Sequence, residues 1–301
     1  MSADNKHPVD NKRPSETIEY SYYPGCTSEG TSVEFDRSAR AVCEAVGIKL
    51  LELEDWSCCG ASSAHSLNHE LSLSLPGRNV ALAQEAGLDT VIPCPACYQN
   101  SIRADRAFRQ DESWRRKMES LLDFEYTGQG RSRHLLDVLS HDLDIDAVKA
   151  KVVKPLKGLK VASYYGCVLV RPPEVTGWDD PEHPTTMDAL LEAAGATPVD
   201  WSYKVDCCGA SMTFPRGAVV TELSTKIVEG AIEAGADCIA SACGICQINL
   251  ETRQAVQNKM PIFYFTELMA LAFGLDGVGK WLGKHTVDPR PLLRERNLLG
   301  R

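Results

Sequence analysis

The sequence predicts an α/β protein of two tandem, pseudo-symmetric domains, each built on a parallel sheet. Three observations support this prediction. Ten of the twelve cysteines form a pattern that occurs twice, short apolar segments alternate with amphipathic ones in both halves, and glycines stand where the predicted helices should end. The Cys-Cys-Gly and CxxC elements recur at an offset of 149 residues. A repeat of that length indicates duplicated domains and not a short-period solenoid.

The repeated pattern consists of a leading cysteine, a Cys-Cys-Gly triplet and a CxxC pair. The first copy reads C-x31-CCG-x33-CxxC and the second reads C-x39-CCG-x33-CxxC. The longer spacing in the second copy predicts an insertion near 168–184. The first set of thiols is Cys26, Cys58, Cys59, Cys94 and Cys97, and the second is Cys167, Cys207, Cys208, Cys243 and Cys246.

The elements of the first half alternate between strands and helices. Residues 19–23 alternate polar and aromatic side chains, which predicts a strand that ends just before the leading cysteine. Gly47 and Gly87 provide left-handed caps for two helices. The predicted order is strand 19–23, helix 32–46, strand 49–53, helix 67–86, strand 89–92 and helix 94–108.

The second half repeats this order. We predict a strand at 160–165, a helix at 187–194, a helix at 219–234, a strand at 238–242 and a helix from 247. Such alternation indicates a parallel, Rossmann-like sheet in each half. Because open α/β folds bind ligands at the carboxyl ends of their strands, the cysteine loops should lie there, at the interface between the domains.

The predicted domain limits follow from changes in composition. A polar tail at 1–17 should be disordered, the first domain should span 18–150, and the second should span 151–278. The basic segment 279–301 is predicted to be a C-terminal arm. It has two open interpretations, a solvated tail or a docking arm for a partner subunit.

Composition excludes several classes of function. The net charge of −9 disfavours a nucleic-acid partner, since phosphates would repel this surface. There is no apolar run of about eighteen residues, so we expect no membrane span. No export signal precedes the first domain, so we expect a cytoplasmic, reducing environment in which the cysteines serve metal binding or redox chemistry instead of structural disulfides.

The thiol count narrows the possible metals. Thiolates select zinc or iron–sulfur clusters. Structural zinc takes four ligands, usually as two CxxC-type pairs, and a cubane [4Fe–4S] cluster also takes four. A fifth thiol in each copy favours an unusual cluster, although zinc in the first set stays open. A thioredoxin-like dithiol would explain only one pair in each copy.

Residues around the thiols support a metal site. Gly60 and Gly209, which follow the Cys-Cys pairs, would let the backbone approach a cofactor. Each CxxC opens a helix whose amide donors and dipole stabilise anionic ligands. Cys43 and Cys238 lie outside the pattern and are expected to be small core residues.

The two complete five-cysteine motifs resemble the CCG-domain (cysteine-rich) family, and in particular the B subunit of heterodisulfide reductase. The resemblance covers about 20–293, and the segments 171–174, 179–184 and 287–292 are also similar to that subunit. It implies that each set of thiols holds one noncubane [4Fe–4S] cluster, with a bridging thiolate among its five cysteines. The family also includes iron–sulfur subunits of glycolate and lactate oxidation and of some quinone reductases.

The resemblance also implies a function. A catalytic iron–sulfur subunit would reduce a disulfide between thiol cofactors by paired one-electron steps at its two clusters. Electrons would come from a ferredoxin-like C subunit that is fed by a flavoprotein A subunit, since no dinucleotide-binding glycine motif follows a strand here. Two alternatives stay open: the reverse oxidation of a persulfide or sulfane-sulfur substrate, and a non-catalytic electron relay.

Overall fold

The structure, a computed structural model, describes residues 17–61 and 64–300. The disordered tail that the sequence predicts at 1–17 lies outside the described residues, except for Thr17. Within the described part of the chain, no helix combines the length and the apolar character needed to cross a membrane.

The first half is built on a four-stranded parallel sheet with the order β2-β1-β3-β4. Its strands are β1 (Ile18–Tyr22), β2 (Ile48–Glu52), β3 (Thr90–Ile92) and β4 (Ser132–His134). Its helices are α1 (Val33–Ala45), α2 (Ala64–Leu67), α3 (His69–Ala86), α4 (Pro95–Gln110), α5 (Glu112–Leu122), α6 (Leu135–His141) and α7 (Ile145–Ala150).

The second half repeats this sheet with the order β6-β5-β7-β8, again parallel. Its strands are β5 (Lys160–Tyr164), β6 (Thr197–Pro198), β7 (Cys238–Ser241) and β8 (Ile262–Tyr264). Its helices are α8 (Thr186–Ala193), α9 (Gly217–Glu233), α10 (Gly244–Arg253), α11 (Phe265–Phe273), α12 (Val278–Leu282) and α13 (Arg290–Glu295). The matching strand orders confirm the predicted fold class, two tandem parallel α/β units.

Local sequence explains where the helices lie and end. Helix α1 buries Phe35, Ala39 and Val42, which recur at helical spacing on one face. Gly47 follows it with φ of 82°, and Gly87 ends α3 with φ of 69°, conformations that glycine adopts without steric cost. Both glycines therefore act as the C-terminal caps that the sequence predicts.

The two halves pack against each other through two equivalent helix contacts, α1 against α11 and α8 against α6. Phe35 of α1 stacks on Tyr264 at the end of β8, with ring centroids 4.6 Å apart and planes 3° from parallel. Beside this stack, the hydroxyls of Ser38 and Thr266 are 2.7 Å apart and buried. Helix α8 packs in turn against α6 and α7. One continuous apolar core runs through both halves.

The segment expected to be a basic C-terminal arm packs against this core. Trp281, Leu282, Leu293 and Leu298 are buried in it, and Arg296 forms an ion pair with Asp237 at 2.7 Å. The domain limits near 150 and 278 stay predictions.

A buried polar cluster fixes the C-terminal segment to the second half. The ring of His285 lies 3.1 Å from a carboxylate oxygen of Glu251 in α10 and 3.0 Å from one of Glu267 in α11. Its side chain is 1% exposed. Burial alone would lower the pKa of His285, but Glu267 and Glu251 outweigh burial and raise that pKa to about 10. The imidazolium thus joins three segments of the chain.

We expect this cluster to make stability depend on pH. When folding raises the pKa of a histidine, the resulting stability is fully present at pH values below the pKa of the unfolded state. For His285 that contribution is lost as the pH rises through about 10. The free energy of unfolding of the natural protein, minus that of His285→Gln, should therefore fall by about 3–5 kcal/mol between pH 7 and pH 11. Chemical denaturation of both proteins at several pH values measures this free-energy difference. A difference that stays constant between pH 7 and pH 11 would contradict a buried, charged His285.

Candidate metal centres

The ten patterned cysteines lie where the topology can bring them together. In each half, the leading cysteine follows the second strand of the sheet order, the Cys-Cys pair follows the edge strand beside it, and the CxxC opens the helix after the third strand. Because parallel strands end at the same edge of a sheet, all five thiols of one half meet there. The structure thus brings together each set that the sequence predicts.

The thiols of the first set are in close contact. The Sγ atoms of Cys59 and Cys97 are 3.3 Å apart, and those of Cys26 and Cys58 are 4.0 Å apart. Cys94 is the N-cap of α4 and lies within hydrogen-bonding reach of Cys97. The five side chains therefore form one array.

The second set repeats the arrangement. The Sγ atoms of Cys208 and Cys246 are 3.4 Å apart, close to the equivalent separation in the first set. Cys167 interacts with Cys207, and Cys243 with Cys246. In both sets, an asparagine three residues after the CxxC donates its side-chain amide to the second cysteine of the Cys-Cys pair. Asn100 donates to Cys59 Sγ and Asn249 to Cys208 Sγ, each at 3.7 Å.

The crowding of the thiols shifts their acidity in opposite directions. The hydrogen bond with Cys97 lowers the pKa of Cys59 to about 7, although burial opposes the shift. The hydrogen bond with Cys167 lowers the pKa of Cys207 to about 6. Burial, with Cys58 nearby, raises the pKa of Cys26 to about 11. Each array thus mixes acidic thiols with thiols that hold their protons, and a bound metal would replace those protons.

Glycines shape both arrays. Gly60 and Gly209 have φ of 71° and 80°, and each donates its backbone N–H to the first thiol of its Cys-Cys pair, at 3.4 Å and 3.3 Å. Sequence reasoning missed a second pair. A Cβ built on Gly25 would lie 3.1 Å from Cys97 Sγ, and one on Gly166 would lie 3.1 Å from Cys246 Sγ. Their position directly before each leading cysteine was the available signal.

The donor sets fit a polynuclear cluster. Among residues 17–61 and 64–300, no group of three or more His, Cys, Asp or Glu side chains has the arrangement of a site for a metal ion. Each set nevertheless supplies five soft thiol donors, the ligand type of iron–sulfur clusters, and glycines stand where a Cβ would crowd the sulfurs. Cys43 and Cys238 are fully buried in α1 and β7, outside both arrays.

The loops that carry the two arrays lie at the interface between the halves, as the sequence predicts. A Cβ on Gly244, inside the second CxxC, would overlap Ser32 Oγ of the first half. Conversely, Gln99 after the first CxxC donates to the backbone carbonyls of Val168 and Arg171, at 3.3 Å and 2.6 Å, in the predicted insertion. Each half therefore contacts the ligand loop of the other.

The first array opens to solvent at a cavity of ≈ 620 Å³. Cys26 and Cys58, both exposed, form part of its wall. The other lining residues are mainly acidic and include Glu29, Glu52, Glu54, Asp55 and Trp56.

Comparison with known proteins agrees with the geometry. The profile of a family described as "Cysteine-rich domain" (CCG) matches residues 20–100 and 161–251. A solved structure titled "Crystal structure of a hypothetical protein from Helicobacter pylori" superposes with a TM-score of 0.70 at 12% identity, covering 90% of this chain and 52% of that one. This chain spans about half of that protein, and the likeness shows the fold alone.

Two curated relatives match over most of their length. The chain is 30% identical over 284 residues to the "8-methylmenaquinol:fumarate reductase membrane anchor subunit" of Wolinella succinogenes, covering 91% of this chain and 99% of the relative. It is 28% identical over 269 residues to the B subunit of the "Ferredoxin/F(420)H(2)-dependent CoB-CoM heterodisulfide reductase" of Methanosarcina acetivorans, covering 84% of this chain and 89% of the relative. The profile match in both halves confirms the resemblance read from the ten cysteines, and the chain belongs to the CCG cysteine-rich domain family.

Proposed function

We propose that this chain is the catalytic iron–sulfur subunit of an oxidoreductase complex of the heterodisulfide reductase type. The observation that carries the proposal is the pair of equivalent five-thiol arrays, whose loops lie at one interface between the halves. Five thiols exceed the four that structural zinc or a cubane cluster takes. The count favours an unusual cluster, and the resemblance to the family implies one noncubane [4Fe–4S] cluster for each array, which we assign here. The similarity to the heterodisulfide reductase B subunit over 84% of the chain supports the reaction class.

The proposed reaction converts RSSR′, two electrons and two protons into RSH and R′SH. Iron–sulfur clusters held by the two cysteine sets would supply electrons singly, whereas a disulfide accepts two. This mismatch would give the duplication a reason, since two such centres could together supply both electrons. The chain itself joins the two halves that carry the arrays through the Phe35–Tyr264 stack and the contacts of Ser32 and Gln99 across the interface.

The immediate surroundings of each array would tune its clusters. The amide groups of Asn100 and Asn249 donate to sulfur, as do the backbone N–H groups of Gly60 and Gly209. Hydrogen bonds to thiolate sulfur raise the reduction potential of an iron–sulfur cluster. The exposed Cys26, Cys58 and Cys207 mark the side from which a substrate or an electron partner approaches.

The partners in this proposal are a ferredoxin-like C subunit, which donates the electrons, and the flavoprotein A subunit that supplies it, within a cytoplasmic complex. The disulfide would be a mixed disulfide of small thiols.

A second candidate function is an electron relay whose chemistry occurs on a partner subunit. The observation that favours it is the 30% identity to a subunit of a quinol:fumarate reductase over 99% of that relative. In that case the same arrays would pass electrons between a donor and a flavoprotein, and no disulfide would be reduced.

Metal content tests the two-cluster assignment. The anaerobically purified chain should contain about eight irons per polypeptide, because each array is assigned four. Iron and zinc quantification by plasma mass spectrometry measures this. About four irons with one zinc would contradict the assignment and return the first array to structural zinc.

Matched controls exist within the chain, because Cys43 and Cys238 are buried outside the arrays. Cys43→Ser and Cys238→Ala should keep the full iron content and cost at most about 1–3 kcal/mol of stability. Loss of about four irons in either variant would show that the ligand sets are assigned wrongly.

Single variants of the Cys-Cys pairs separate catalysis from relay. If both centres act on one disulfide, Cys59→Ala and Cys208→Ala should each abolish nearly all disulfide reduction, and the double variant should lose little more, as for residues that act as a unit. Turnover of a small-molecule disulfide with a chemical reductant measures this, with Cys43→Ser as control. Substantial turnover in Cys59→Ala, with the first cluster spectroscopically absent, would defeat the paired mechanism.

A further inference from the structure

Two buried tyrosines occupy equivalent positions beneath the arrays. Tyr23 and Tyr164 each stand three residues before the leading cysteine of their half and are 1% and 0% exposed. The hydroxyl of Tyr23 donates to the backbone carbonyl of Ser57 at 2.8 Å, and that of Tyr164 donates to the carbonyl of Asp206 at 2.7 Å. Each acceptor is the residue directly before a Cys-Cys pair. The same bond therefore occurs in both halves.

The hydroxyls also lie beside the thiols. A Cβ built on Gly166 would meet both Cys246 Sγ at 3.1 Å and the Tyr164 hydroxyl at 3.9 Å, so the ring, the glycine and the sulfur share one small space. Cys97 and Cys59 lie near Tyr23, as Cys246 and Cys208 lie near Tyr164. Both hydroxyls act as donors, because their partners are backbone carbonyl oxygens, which can only accept.

We propose that Tyr23 and Tyr164 are positioning residues for the two arrays, each anchoring the loop that carries its Cys-Cys pair and thereby setting the redox potential of the centre held there. The link to redox potential rests on the proposed iron–sulfur function. The loop-anchoring part does not, because it concerns only the backbone before each pair.

The two halves differ in how much else supports the anchored carbonyl. Ser57 O also accepts from the side-chain amide of Asn79 at 2.7 Å, and Ser57 N donates to the same side chain at 2.9 Å. Asp206 O has the Tyr164 hydroxyl as its side-chain donor. Loss of the hydroxyl should therefore loosen the second loop more than the first.

Neighbouring tyrosines provide matched controls. Tyr22 and Tyr165 are adjacent in sequence to the proposed residues, and both are fully buried. Their hydroxyls bond elsewhere, since Tyr22 donates to Asp36 at 2.8 Å and Tyr165 accepts from the N–H of Met187 at 2.7 Å. Replacing either by Phe removes the hydroxyl hydrogen bond of a buried tyrosine without touching a cysteine loop.

The experiment compares Tyr23→Phe, Tyr164→Phe, Tyr22→Phe and Tyr165→Phe in the full chain, purified anaerobically. Hydrogen–deuterium exchange follows the amides of 57–61 and 206–210, and spectroscopic redox titration follows the midpoint potential of each centre. Tyr164→Phe should raise exchange in 206–210 by about tenfold, the effect of one lost hydrogen bond of about 1.4 kcal/mol. Tyr23→Phe should raise exchange in 57–61 by a smaller factor. Tyr23→Phe and Tyr164→Phe should each shift the midpoint potential of the centre in their own half, while the iron content stays unchanged. The control variants Tyr22→Phe and Tyr165→Phe should shift neither.

The proposal would be overturned if Tyr164→Phe left the exchange of the loop 206–210 unaltered. It would also be overturned if the control Tyr165→Phe raised that exchange equally. Raised exchange with unchanged midpoint potentials would reduce the tyrosines to structural residues and would also overturn it. If the natural protein holds no iron, the proposed function fails, whereas the exchange comparison still decides whether the tyrosines anchor the loops.

Discussion

The crowding of five thiols at the end of each sheet is the constraint on which the rest of the structure depends. Sulfur atoms 3.3–4.0 Å apart cannot all ionise without a compensating cation, because thiolates at this distance repel one another. Protons are shared within the arrays, and the pKa values of Cys59 and Cys207 fall while that of Cys26 rises. Metal ions would relieve the same repulsion more completely, so metal binding and folding should be coupled.

The fold supplies the rigidity that such an array needs. Central strands β1 and β5 end shortly before the leading cysteines, and the helices after β3 and β7 open with the CxxC pairs. The opposite half packs against the loops of each array, through Ser32 against Gly244 and Gln99 against the insertion. The two arrays differ in their surroundings, since acidic side chains line the cavity at the first one while the second half carries the buried His285 cluster. Equivalent ligands can therefore hold centres of different potential.

Much of this could be predicted from the sequence, because the signals were local. The cysteine spacing predicted which thiols meet, and capping glycines and apolar periodicity placed β1, α1 and α3. Of the four edge strands, only β2 was predicted. Strand β4 has three residues with polar side chains, β6 has two residues with a proline, and β8 has only three residues. Helix α11 was also missed, because its nine residues are all buried and so lack amphipathic periodicity. The roles of Tyr23, Gly25 and His285 depend on contacts between distant segments, which no local pattern encodes.

The most direct test of the central claim, that each five-thiol array holds its own iron cluster, is anomalous X-ray scattering at the iron edge from anaerobically grown crystals. The account predicts two separate groups of iron peaks, one within bonding distance of Cys26, Cys58, Cys59, Cys94 and Cys97 and the other in the equivalent place in the second half. A single group of iron peaks, or a zinc-edge signal at either array, would contradict it.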